Sequence, residues 1–235
     1  NPALLERYCR EADFIFNLAG VNRPKEQSEF MSGNFGFAST LLDTLKKAGN
    51  TCPVMLSSSI QATLLGRFAG SEYGKSKLAG EELFFDYGKE TGAKVLVYRF
   101  PNLFGKWCRP NYNSAVATFC HNMANDLPIQ VNDRNTSLEL LYIDDLVEEM
   151  LDALEGKEHR CEFDGMTAVE QKNGRYCFVP VTHKATLGCW TANSGHHQQH
   201  FIVSQKLKTA AESRLKITLL SLLRHLIIIM SETDY

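Results

Sequence analysis

The residues best suited to chemistry are Tyr73 and Lys77, four positions apart at the start of a segment whose pattern predicts a helix. This spacing places both side chains on one helix face, where they can address a single ligand. An ammonium group near a phenol favours the phenolate, so we expect Lys77 to lower the pKa of Tyr73. A tyrosine tuned in this way can give a proton to a ligand oxygen or take one from it.

A third candidate is Ser59, the last of three serines that follow the apolar run Val54 to Leu56. Its hydroxyl, at the end of a predicted strand, could hold the oxygen on which Tyr73 acts. Chance alone would give about half a Tyr-x-x-x-Lys pair in a chain of this composition, so the pair by itself is weak evidence. The serine strand end just upstream is what favours catalysis.

These residues must be positioned by elements that alternate along residues 1–150. The pattern predicts strands at 13–19, 54–56 and 94–100, and helices at 26–48 and 72–91. Such alternation predicts parallel βαβ units, and hence an α/β fold with a doubly wound parallel sheet. Ligands of these sheets bind at the carboxyl ends of strands. Three residues follow directly after predicted strands: Gly20, Ser59 and Asn102.

Composition argues against several classes of protein. A formal charge of −2 provides no basic field for nucleic acid. The seven cysteines are irregularly spaced and contain no C-x-x-C pair, so neither a zinc ribbon nor a disulfide framework is predicted. The apolar stretch 215–230 is interrupted by charges and falls short of the roughly 20 residues of a membrane span. We expect a soluble cytoplasmic protein with neither a nucleic-acid nor a membrane partner.

Five segments occur in the order typical of extended short-chain dehydrogenases: NLAGVN (17–22), LSSSIQAT (56–63), YGKSKLAGEE (73–82), YRFPNLFGKW (98–107) and YIDDLV (142–147). The chain resembles that family. LSSSIQAT, PNLFGKWCRPNYNSAVATFC and QVNDRN are similar in particular to the capsular-polysaccharide reductase branch, the CapF-type enzymes. The likeness covers about residues 8–188.

The resemblance implies a Rossmann-like fold and an NAD(P)-dependent oxidoreductase. Its reaction would be reduction at C4 of a UDP-2-acetamido-2,6-dideoxy-hexos-4-ulose, on the route to N-acetyl-L-fucosamine in capsule or O-antigen. The implied cofactor is NADP or NAD, with NADPH favoured, and the implied partner is a UDP-sugar substrate. A homodimer is compatible with this interpretation.

The resemblance also implies roles for individual residues. Tyr73 would be the acid/base, Lys77 would bind the nicotinamide ribose, and Ser59 would hydrogen-bond the reacting oxygen. Gly20 would pass close to the cofactor, although a simple turn glycine explains it equally well. Asn34 matches an active-site asparagine of the family, or else caps a helix or lies exposed.

Substrate contacts are implied for four further residues: Asn102, Arg109, Asn113 and Arg134. Asn102 would orient the sugar nucleotide, whereas Arg109 and Asn113 would line its pocket or belong to a solvated loop. Arg134 would pair with the diphosphate. Many relatives carry that arginine where this chain has Leu138. Asp144 and Asp145 are predicted to cap the helix that follows them.

The chain departs from the family in two places. It contains no G-x-x-G-x-x-G loop of the kind that binds a cofactor pyrophosphate. The likeness also ends at residues 186–188, which a reading-frame shift would explain. We therefore predict a partial dinucleotide-binding domain at 1–105, a substrate-binding portion at 106–188 and a non-family tail at 189–235. We expect the chain to be catalytically incomplete by itself.

Three histidines in that tail, His196, His197 and His200, have spacings that a helical zinc site could use. No constellation of carboxylates or cysteines accompanies them, so no metal site is predicted. Two other functions stay open. The first is a UDP-sugar 4-epimerase or dehydratase, although a dehydratase would want an acidic pair where Ser59 is followed by Ile60 and Gln61. The second is a non-catalytic nucleotide-binding relic.

Overall fold

The computed structural model describes residues 2–161, 175–186 and 226–229. The chain divides into two compact units. The first comprises Asn1–Phe100, His159–Phe178 and Leu220–Tyr235, and the second comprises Pro101–Glu158 and Val179–Leu219. The tail predicted at 189–235, with its three histidines, lies outside the described residues apart from 226–229. The domain boundaries predicted at 105 and 188 stay a prediction.

The first unit contains a five-stranded sheet in which every strand pair is parallel. Its strands are β1 (Phe14–Asn17), β2 (Val54–Ser59), β3 (Val95–Phe100), β6 (Tyr176–Cys177) and β8 (Leu226–Ile229). Their order across the sheet is β6-β3-β2-β1-β8. All four residues of β1 are buried, as expected for a parallel strand covered on both faces. The predicted α/β parallel sheet is confirmed.

The helices of the first unit are α1 (Pro2–Glu11), α2 (Ser28–Phe30), α3 (Phe37–Ala48) and α4 (Glu72–Thr91). Leu41 and Leu45 of α3 and Phe84 of α4 belong to one buried cluster with Ile15 of β1 and Val54 of β2. Their burial removes apolar surface from water and fixes α3 and α4 to the sheet. The boundaries predicted for α4 from sequence are the observed ones.

Two predicted elements in this unit were wrong in detail. The single helix expected at 26–48 is broken by a π-helical turn, Met31–Gly36, between α2 and α3. The strand expected to end at Leu56 continues through all three serines to Ser59, since Ser57, Ser58 and Ser59 pair in register with β3. Backbone pairing with a neighbouring strand outweighs the weak strand propensity of serine.

The second unit contains a three-stranded sheet, in the order β4-β5-β7. Its strands are β4 (Asn102–Phe104), β5 (Ser137–Tyr142) and β7 (His183–Thr186), and its helices are α5 (Ala115–Ala124) and α6 (Ile143–Leu154). β4 is parallel to β5, and β7 is antiparallel to it. None of the described helices combines the length and the apolar character needed to cross a membrane.

The capping predicted for α6 was wrong. Tyr142 occupies the N-cap position, and no side chain caps the helix. Asp144 and Asp145 lie instead in the first turn, where their negative charge favours the helix N-terminus. Asp144 also pairs with Lys106, with Oδ1 and Nζ 2.9 Å apart.

Candidate active site

The carboxyl end of β2 supplies the first part of the candidate site. Ser59 is the last residue of β2 and the N-cap of a 3-10 turn, Ile60–Thr63. Its Oγ accepts a hydrogen bond of 3.2 Å from the Gln61 backbone N–H. The strand and the turn together therefore fix the position of the Ser59 hydroxyl.

The first turn of α4 packs directly against this 3-10 turn. Ser71 caps α4 by accepting a 2.9 Å hydrogen bond from the Gly74 N–H, and its hydroxyl donates to Gln61 Oε1 at 2.8 Å. Gly74 permits the close approach, because a Cβ atom at this position would lie only 2.3 Å from the Gln61 carbonyl oxygen. The contact places Tyr73 beside Ser59, to which its phenol is hydrogen-bonded.

Tyr73 is partly buried on α4. Its ring packs edge-on against Phe30, with the ring centroids 5.8 Å apart. Burial raises the pKa of Tyr73 to about 12, and the hydrogen bond with Ser59 lowers it only in part. The predicted lowering of the Tyr73 pKa was wrong, because loss of water around the phenolate outweighs the hydrogen bond with Ser59. The phenol is therefore protonated at neutral pH.

Lys77 lies one turn further along α4 and is 6% exposed. Its Nζ is 5.6 Å from the centre of the Tyr73 ring and donates a 3.1 Å hydrogen bond to the Ser57 carbonyl. Burial lowers the pKa of Lys77 to about 8, against an opposing effect of Glu81. Lys77 lies on the Tyr73 face of α4, as the sequence spacing predicted, and its hydrogen bond to Ser57 links that face to the end of β2.

Gly20 follows β1 and lies against Lys77. A Cβ atom at Gly20 would be 2.9 Å from Lys77 Nζ and 3.1 Å from Asn34 Oδ1, so a side chain here would displace both. The structure brings together Gly20, Ser59, Tyr73 and Lys77 in the first unit. The contact of Gly20 with a cofactor stays a prediction.

Asn34 lies in the π-helical turn and is buried, so neither an exposed position nor helix capping describes it. Its Oδ1 accepts a 2.8 Å hydrogen bond from the Val21 N–H, and its Nδ2 donates to Ser76 Oγ at 2.9 Å. Asn34 therefore ties the loop after β1 to α4. Gly33 permits the close packing of this turn, because a Cβ at this position would lie 2.3 Å from Val21 Cγ2. Single-turn π-bulges of this kind are frequent at functional sites.

The residues around Gly20 fit the nicotinamide end of a dinucleotide. The buried Lys77 ammonium has N–H donors suited to ribose hydroxyls, and the absence of a side chain at Gly20 lets the loop after β1 lie against it. Asn17, at the carboxyl end of β1, is buried, and its Oδ1 has no hydrogen-bond partner among the described residues. A buried acceptor without a partner is costly, so a ligand donor there would remove an energetic penalty.

The four residues predicted to contact substrate belong to the second unit: Asn102, Arg109, Asn113 and Arg134. Asn102 Nδ2 donates a 3.0 Å hydrogen bond to the Glu139 carbonyl, which holds β4 against β5. The Arg109 guanidinium lies 5.5 Å from the centre of the Tyr112 ring. Arg109, Asn113 and Arg134 are exposed. Their roles in substrate binding stay predictions.

Sequence reasoning missed Glu81, a fully buried carboxylate one turn beyond Lys77. Its spacing from Lys77 was visible as a repeat of four along the same helix face. The burial of Glu81 could not be predicted from that spacing, because the helices of folded proteins carry glutamate most often on their solvent-exposed face.

The family model described as "NAD dependent epimerase/dehydratase family" matches residues 1–162. One curated relative is UDP-2-acetamido-2,6-beta-L-arabino-hexul-4-ose reductase from Pseudomonas aeruginosa. It is 46% identical over 153 residues, which are 65% of this chain and 40% of that protein.

Two solved structures place the fold. The capsular polysaccharide assembling protein CapF from Staphylococcus aureus is similar with a TM-score of 0.65 and 44% identity, over 82% of this chain and 47% of CapF. UDP-glucuronic acid 4-epimerase from Bacillus cereus, in complex with NAD, has a TM-score of 0.61 and 20% identity over 78% of this chain and 58% of the epimerase; this likeness shows the fold alone. This chain spans less than half the length of the curated reductase and of CapF. Since the family model covers well over half of its residues, the chain belongs to the NAD dependent epimerase/dehydratase family.

Proposed function

We propose that this chain carries the catalytic residues of an NADPH-dependent reductase that acts on the 4-keto group of a UDP-2-acetamido-2,6-dideoxy-hexos-4-ulose. One observation carries the proposal: the hydrogen-bonded pair of Ser59 and Tyr73, with the Lys77 ammonium beside it, at the carboxyl edge of a parallel sheet. The similarity to the Pseudomonas aeruginosa reductase and to CapF supports this substrate class.

The proton step follows from the state of Tyr73. Because its pKa is raised to about 12, the phenol holds its proton at neutral pH and can donate it to a ketone oxygen as negative charge develops there. Ser59, hydrogen-bonded to the same phenol, is placed to donate to that oxygen and orient it. A bound nicotinamide would supply the hydride to the carbon.

Lys77 serves the same step through its charge. Its pKa of about 8 leaves most of the side chain protonated at neutral pH. One N–H is directed to the Ser57 carbonyl, and the remaining donors suit the hydroxyls of a nicotinamide ribose. Once Tyr73 has given up its proton, the nearby ammonium stabilises the phenolate that remains.

Binding and turnover test the proposal separately. The chain has no G-x-x-G-x-x-G loop to bind the pyrophosphate, so isothermal titration of the purified chain with NADPH, NADH and UDP-GlcNAc should show weak binding of the nicotinamide, together with binding of the UDP-sugar. Loss of nicotinamide absorbance with the 4-keto sugar should then report the turnover that remains without that loop. Tyr73→Phe should reduce turnover by about 10²- to 10⁴-fold with nicotinamide binding retained. Tyr8→Phe, at an exposed tyrosine of α1, is the matched control.

Two results would contradict the proposal: no binding of either nicotinamide by this chain, or full turnover by Tyr73→Phe. The stoichiometry separates reduction from 4-epimerisation. A reductase consumes one nicotinamide for each sugar converted, whereas an epimerase returns the hydride and shows no net consumption.

A further inference from the structure

Glu81 is the centre of a buried polar cluster, defined here as Glu81, Ser58, Arg99 and Tyr176. Glu81 is 0% exposed. Its carboxylate accepts hydrogen bonds from the Arg99 guanidinium of β3, with Nη2 at 2.6 Å and Nε at 2.9 Å. It also accepts from the Tyr176 hydroxyl of β6 at 2.9 Å and from the Ser58 hydroxyl of β2. One carboxylate thus joins α4 to three neighbouring strands.

The cluster closes on itself. Arg99 Nη2 also donates to the Tyr176 hydroxyl at 2.8 Å, and the guanidinium carbon lies 4.3 Å from the centre of the Tyr176 ring. These contacts give Glu81 and Arg99 defined directions, because each hydrogen bond restricts the rotamers of both side chains.

Stability alone does not account for a charged pair at this depth. Removing two charges from water costs as much as their attraction returns, and apolar side chains of similar volume are often as stable. A buried pair of this kind can instead specify one arrangement of the elements that it joins. The elements joined here are those that carry the candidate active site.

One hydrogen bond and one charge interaction connect the cluster to the site. Ser58, which donates to Glu81, lies between Ser57, whose carbonyl binds Lys77, and Ser59, which binds Tyr73. Glu81 itself lies four residues after Lys77 on α4, and its negative charge favours the Lys77 ammonium. The cluster therefore acts on both ends of the Ser59–Tyr73–Lys77 arrangement.

We propose that Glu81 is a positioning residue that holds Lys77 and the end of β2 in the arrangement required for catalysis. The inference rests on the proposed reductase function, since it assigns Glu81 to that same site. The groups that face Lys77 are Tyr73 and Glu81 from α4, the Ser57 carbonyl from β2, and Gly20 from the loop after β1. Arg99 lies beyond Glu81 and balances its charge.

The test measures the pKa of Lys77 by NMR of labelled lysine side chains, with Lys77→Arg used to assign the signal, and NADPH affinity by isothermal titration. Glu81→Gln should move the pKa of Lys77 below about 8 and weaken NADPH binding by roughly ten- to a hundredfold. Glu82→Gln is the matched control, because this neighbouring carboxylate is half exposed and pairs with Arg175. The control should leave both quantities unchanged.

The double variant Glu81→Met/Arg99→Met separates positioning from stability. It removes both charges, so it should regain melting temperature that Glu81→Gln loses. The pKa of Lys77 and the affinity for NADPH should nevertheless remain low. Recovery of both in the double variant, or an unmoved Lys77 pKa in Glu81→Gln, would overturn the inference. If the unmodified chain binds no NADPH, the proposed function fails, while the Lys77 titration still decides the role of Glu81.

Discussion

Gly74 is the position at which a single methyl group should disturb the candidate site most directly. In Gly74→Ala the new Cβ would lie 2.3 Å from the Gln61 carbonyl oxygen and 2.9 Å from its carbon. Both atoms are backbone, so no side-chain rotation can relieve the overlap. Either α4 or the turn at 60–63 must move. Tyr73 lies on α4 and Ser59 precedes the turn, so either movement changes their separation.

The magnitude follows from two opposing effects. Replacing glycine by alanine inside a helix stabilises by about 0.5–1 kcal/mol. Overpacking against fixed atoms costs about 1–3 kcal/mol. Gly74→Ala should therefore lower the free energy of unfolding by up to about 2 kcal/mol, whereas Gly80→Ala in the same helix should raise it, because no atom lies within 4 Å of its added Cβ.

Urea denaturation followed by far-ultraviolet circular dichroism would compare the two variants with the unmodified chain. Gly74→Ala should be less stable than Gly80→Ala by about 1–3 kcal/mol, and each kcal/mol corresponds to about 2–4 °C in melting temperature for a chain of this size. Equal stabilities, or a Gly74→Ala variant more stable than Gly80→Ala, would refute the close packing of α4 on the turn at 60–63.

Two further predictions concern titration. Ser59→Ala should raise the pKa of Tyr73 above about 12, because the lost hydrogen bond favours the phenolate; tyrosine NMR measures this, and an unchanged pKa would contradict it. Lys77→Met should raise the free energy of unfolding at pH 7 by up to roughly 3 kcal/mol, since burial lowers the pKa of Lys77 from 10.5 to about 8. Because the pKa of folded Lys77 is depressed, the stability linked to Lys77 is present above pH 10.5 and is lost as pH falls through about 8. The stability gained by Lys77→Met should therefore disappear when denaturation is measured at high pH. A gain that does not change with pH would contradict this prediction.

The parallel sheet and the ends of α4 could be predicted because their signals are local. Apolar runs such as 54–56 mark buried strands. The bounds predicted for α4, 72–91, are those at which Ser71 caps the helix and Gly92, with a φ of 75°, ends it in the structure. The π-helical turn at 31–36 could not be predicted from periodicity. The helices on either side of the turn keep their own apolar spacing, and the π-helical turn changes only the phase between them. The position of the turn depends on the packing of Gly33 against Val21.

The candidate site shows the same division. Tyr73 and Lys77 share a helix face by spacing alone, and that relation is present in the structure. The direction of the Tyr73 pKa was mispredicted, because a charge near a phenol can be read from sequence whereas the water removed around it cannot.

By itself, the sequence determined the residue types of the site, their order and the α/β class, since these depend on periodicity and on motifs carried within short segments. Only the tertiary structure decided that Gln61 and Gly74 touch, that Asn34 is buried, and that Glu81 is enclosed by three strands. Those contacts join residues far apart in the chain, and their energies depend on how completely water is excluded, which no local pattern encodes.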